Sequence, residues 1–135
     1  MKKLNIIVLM SIVLTSCFES NGIYFDIKEQ AVLSCGRKGI ECLYIKNGST
    51  AEVYTLFWVD SLKKAPGSII LNHVDKRYKI TKGWNNNLIS SGSFKLKPLS
   101  NYSIERVQPD VNAYKISVMT GKDGDIIKAV PDKCN

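Results

Sequence analysis

The chain of 135 residues holds a single histidine, His73, and its four cysteines form no Cys-x-x-Cys pair. That argues against a metal site built on the usual ligand spacings. It also leaves a catalytic base or a nucleophilic cysteine without the imidazole partner that would tune it. No Gly-x-Ser-x-Gly elbow and no glycine-rich phosphate loop is present. Acidic neighbours such as Asp123 and Asp125 stand in a turn, where aspartate serves turn geometry. Long apolar runs are scarce too. The longest, residues 4–14, is too short for the ~20 residues that span a bilayer as a helix. Internal repeats and low-complexity tracts are absent, and no segment sustains a 3.6-residue period. These gaps point away from an enzyme and from a helical protein, and they imply no cofactor.

What the chain does contain is extended sequence. Stretches rich in β-formers recur every ten residues or so, separated by turn residues. They cover residues 23–27 (IYFDI) and 30–34 (QAVLS), as two short strands or one bent strand, then 40–46 (IECLYIK), 51–59 (AEVYTLFWV), 68–74 (SIILNHV) and 76–81 (KRYKIT), in a total of around eight strands. Further ones cover residues 88–96, 101–107, 113–120 and 125–130. Asn47-Gly48 predicts a tight hairpin turn. Residues 51–59 are apolar at both alternating sets, which suits a central strand covered on both sides, or covered on one side and by a partner on the other. Residues 96–102 (LKPLSNY) resemble the tyrosine corner of fibronectin-III and immunoglobulin-like domains, in which a tyrosine opening one strand reaches back to upstream backbone. Trp58 then resembles the core tryptophan of such folds. The expected fold is all-β: one immunoglobulin/fibronectin-III-like antiparallel sandwich over residues 23–135.

The first residues read as an export signal. Lys2 and Lys3 precede the apolar run, and Leu14-Thr15-Ser16-Cys17 resembles the lipobox of bacterial lipoproteins. The resemblance implies removal of residues 1–16, lipidation of Cys17 with acyl chains such as palmitate, and a short tether over residues 17–22. Several acyl chains together make a stable anchor where one would be marginal. The alternative is an ordinary signal peptide whose Cys17 is a disulfide thiol. Phe18 follows Cys17 in place of the aspartate that marks inner-membrane retention in such lipoproteins, so the expected location is the periplasmic face of the outer membrane. Without Lys2 and Lys3 the remaining 119 residues carry 17 basic and 12 acidic side chains, a net charge of +5. That excess suits an acidic partner or an anionic surface, and no basic-aromatic module points to nucleic acid. An oxidising compartment predicts one disulfide and one spare thiol among Cys35, Cys42 and Cys134, with the pairing left open.

Residues 75–84 (DKRYKITKGW) gather four basic side chains with Tyr78 and Trp84. Arginine and aromatic side chains favour interface centres, which makes Arg77, Tyr78 and Trp84 the candidates for touching a partner. The same lysines also suit a solvated edge strand protected against aggregation. Several features together resemble the type VI secretion immunity periplasmic lipoproteins. They are the lipobox, the early strand at residues 23–25, Cys42 in IECLYIKNG, and the block at residues 92–104 (GSFKLKPLSNYSI) followed by YKISV at residues 114–118. Two positions of the block depart from that family's pattern: Ser93 stands for an aromatic residue and Leu99 for a glycine. The resemblance implies an antitoxin that binds a secreted effector and blocks it. An envelope adaptor that binds a resident component is the alternative, and the oligomeric state is open.

Overall fold

The computed structural model describes residues 22–108 and 114–134. Cys17, its leader and the turn expected at Pro109-Asp110 lie outside the described residues. Ten strands run in chain order: β1 (Ile23–Asp26), β2 (Ala31–Ser34), β3 (Cys42–Asn47), β4 (Val53–Trp58), β5 (Ser68–Ile70), β6 (Tyr78–Lys82), β7 (Asn87–Ile89), β8 (Asn101–Arg106), β9 (Tyr114–Thr120) and β10 (Ile126–Val130). They form two antiparallel sheets, one ordered β1-β2-β5 and the other β10-β9-β8-β3-β4-β6-β7. The all-β sandwich read from the sequence is the observed architecture.

Period-two alternation builds the core. Leu43 and Ile45 on β3, Leu56 and Trp58 on β4, Ile104 on β8, and Ile116 and Val118 on β9 all point inward. Phe25, Val32 and Ile69 of the small sheet meet them. β10 departs from strict alternation because its register on β9 shifts between Ile126 and Lys128. The extra residue lets Ile126 and Ala129 both face the core.

Several expectations need correction. Of the two arrangements open to β4, full cover on both faces is not the one found: β4 is central, Tyr54, Leu56 and Trp58 are covered, and Phe57 on the other face is 51% exposed. Three strands can blanket only one side of a seven-stranded sheet. Asn47-Gly48 makes no two-residue turn: residues 48–52 bridge β3 and β4, and the Asn47 backbone N–H donates to Glu52 O at 2.9 Å. Asn47 acts through its side chain, whose Oδ1 accepts from the N–H groups of Ser49 and Thr50 at 2.8 and 3.1 Å. The strand expected at residues 68–74 stops at Ile70, and Leu71–His73 is a 3-10 turn that leaves His73 exposed. The stretch at residues 88–96 is likewise cut by a 3-10 turn at Ser91–Ser93. Beyond it Phe94 is buried, edge-on to Tyr54 at 5.1 Å between ring centroids. β6 is no edge strand, since β7 pairs along its outer side.

The tyrosine corner forms. Tyr102 is buried, and its hydroxyl accepts from the Lys97 backbone N–H at 2.8 Å. Arg106 fastens the two sheets from inside, donating to Ser34 Oγ at 2.9 Å and to Gly39 O at 2.9 Å. Burial pulls its pKa below the ordinary arginine value, but not the charge away. Gly39 itself passes so close to the Ala65 backbone that a Cβ there would collide with the Ala65 carbonyl. Cys35 and Cys134 are joined, with Cα atoms 5.7 Å apart. Cys42 is the free thiol among the described residues.

Candidate binding surfaces

Residues 75–84 do not assemble into one patch. Asp75 and Arg77 close on each other: Arg77 donates to the Asp75 carboxylate from Nε at 3.0 Å and from Nη2 at 2.6 Å. The Arg77 backbone N–H adds a third bond at 2.9 Å. These hydrogen bonds hold Asp75 at about 2, well below the usual carboxylate range. The guanidinium also lies 4.8 Å from the Trp58 ring centroid and 4.0 Å from Asp60. Trp58 in turn donates its indole N–H to the carbonyls of Asp60 and Lys63 at 2.9 and 2.8 Å. Arg77 therefore caps the core tryptophan and is bound within its own chain, with about half its side chain accessible.

Tyr78 leaves the set of partner contacts. It is 4% exposed, its ring meets Trp58 edge-on at 5.0 Å, and its hydroxyl donates to Ile40 O at 2.6 Å. Burial, above all, raises its pKa far beyond the ordinary tyrosine value. The alternation of Tyr78 and Ile80 against Lys79 carried this signal in the sequence. Trp84 is the opposite case. Gly83, at φ 75°, turns the chain out of β6, and Trp84 follows it at 81% exposure. Leu88 on the same hairpin is 68% exposed. Arg77 and Trp84 stand at opposite ends of β6, separated by about 20 Å of extended chain.

The other candidates are structural or unreactive. The Cys35–Cys134 bond ties the end of the chain to the start of the domain. Cys42 is half-buried on β3, and burial raises its thiol pKa, which lowers the thiolate fraction. Ser61 and Lys64 stand at the spacing of a serine–lysine pair, but both are exposed in the loop after β4. Among the described residues no three His, Cys, Asp or Glu side chains group as metal ligands.

No known protein family, curated protein or solved structure matches the chain.

Two hollows escaped the reading of the sequence. One, of about 500 Å³, lies on the uncovered face of the large sheet, with Lys46, Lys115 and Lys128 around Met119 and Val130. Glu105 pairs with Lys46 there at 3.2 Å. The outward parity of these lysines on β3, β9 and β10 was the available sign. The second hollow, of about 810 Å³, lies between β5 and the segment leading into β6. Both can bind by charge and apolar contact.

Proposed function

We propose that the protein is a lipid-anchored antitoxin of the bacterial envelope, which binds a secreted antibacterial effector and occludes it. The observation that carries the reading is the pairing of a lipobox-like tail, residues 14–17, with the block at residues 92–104 that resembles immunity lipoproteins. The tyrosine-corner bond from Lys97 to Tyr102 and the buried Trp58 support taking the sandwich as immunoglobulin- or fibronectin-III-like. On this reading Cys17 holds the domain at the periplasmic face of the outer membrane, where an incoming effector is met. Occlusion needs a rigid surface and no chemistry. A hairpin carrying Trp84 is suited to entering a cleft, because an exposed indole brings large contact area at small entropic cost.

The test is a competition between a deletant and its otherwise identical parent. Death of the deletant only when the parent can secrete, with rescue by a copy that keeps Cys17, is the expected outcome. A deletant that survives its parent but leaks or becomes detergent-sensitive alone replaces the antitoxin with the envelope adaptor.

A further inference from the structure

We propose that the free edge of β5 receives an extended acidic strand from the protein partner. The inference rests on the partner-binding role above, and not on the partner's being a toxin. The backbone register fixes which groups are open. Ser34 N–H donates to Gly67 O at 2.8 Å, Leu71 N–H donates to Gln30 O at 2.9 Å, and Val32 lies opposite Ile69. Gly67, Ile69 and Leu71 therefore turn their peptide groups toward β2, and the alternation of an antiparallel ladder turns those of Ser68 and Ile70 the other way. No strand among the described residues pairs on that side.

The opposite edge of the small sheet is closed. β1 lies against β9 and β10, and Phe25 N–H donates to Pro131 O at 3.2 Å. Of the small sheet's two edges, the β5 edge stays open among the described residues, and there the 810 Å³ hollow separates the strand from residues 74–78. Ile70, 45% exposed, stands beside it as an apolar contact. The rim is basic: Lys63 and Lys76 are exposed and have no ion-pair partner among the described residues, while Asp75 is neutralised by Arg77. Main-chain bonds to Ser68 and Ile70 would supply affinity, and carboxylates facing Lys63 and Lys76 would set register and choice of partner. A second copy of this chain fits poorly, since edge-to-edge pairing would face these lysines with their own kind.

Ile70→Pro separates this edge from the fold. Ile70 has φ −79°, within the range proline imposes, and the N–H it would lose points away from β2. The experiment places a photo-reactive phenylalanine at position 68 of the full anchored protein in its own cell envelope. Cells are irradiated alone and against the secreting parent. The expected result is an adduct with a different protein, reduced about ten-fold by Ile70→Pro, a loss of ~1.4 kcal/mol of binding. A comparable reduction is expected in Lys63→Glu/Lys76→Glu, which decides the matter if the proline variant fails to accumulate. No adduct in either culture overturns the proposal. So does an adduct of two copies of this chain, or one that neither variant moves. An adduct formed equally without an attacker keeps the β5 site and removes the antitoxin reading.

Discussion

Leu99 holds φ at 51°, the left-handed region that costs a residue bearing Cβ about 1–2 kcal/mol. It is 73% exposed, so little packing repays the strain. Leu99→Gly should therefore stabilise the domain by roughly 0.5–1 kcal/mol, the relief being partly offset by a more flexible unfolded chain. A thermal midpoint raised by about 2–5 °C is the expected reading, and an unchanged or lowered one would show that the strain is not there. Asp75 gives a second prediction at this scale. Its pKa of about 2 lies below the ordinary aspartate value near 3.9. A depressed carboxyl contributes stability that is complete above about pH 4 and is lost as pH falls through 2. The pair is well exposed, so the stability at stake is small. Carboxyl NMR should find Asp75 titrating near 2 in the wild type and back in the ordinary range in Arg77→Leu.

At the scale of strands and links, the Cys35–Cys134 bond closes a loop with a sequence separation of 99 and joins the stretch after β2 to that after β10. By the loop-entropy argument reduction should cost about 3–5 kcal/mol, read as a lower denaturant midpoint in dithiothreitol. Cys42→Ser should leave that difference in place; its disappearance would mean that Cys42 is the working partner. The element scale also shows what could be read beforehand. Stretches rich in β-formers between turn residues mark the run of short strands, although strict alternation fails at β2, β6, β7 and β10. The disulfide partner was not legible: three thiols in loops and strands differ only in where the fold brings them. The 3-10 turns at Leu71–His73 and Ser91–Ser93 were hidden for a related reason. There Leu71 and Phe94 satisfy burial without extending a ladder, so an apolar stretch continues past the end of its strand. Tyr78 could be read as core from its alternation with Lys79 and Ile80, whereas Arg77 looks like an interface residue by type, and only its packing over Trp58 reveals that the fold uses it.

For the whole molecule, seven strands against three leave the outer face of the large sheet open and one flank of the sandwich unsealed. Exposed apolar groups scattered over such a surface are ordinary; a tryptophan at 81% exposure on a hairpin tip is a more specific investment. Its ring lies outside the core cluster, so Trp84→Ala should leave the folding midpoint within about 0.5 kcal/mol of wild type. If the hairpin enters an effector's cleft, the same change should cost 2 kcal/mol or more of binding, about thirty-fold, expressed mainly as faster dissociation. In the competition with a secreting parent, a Trp84→Ala strain with normal protein levels should then lose protection. Full protection by that strain would take the hairpin out of the interface. The recognition would then have to run through the β5 edge or the lysine-rimmed hollow, where lysine reversal would abolish it and tryptophan removal would not.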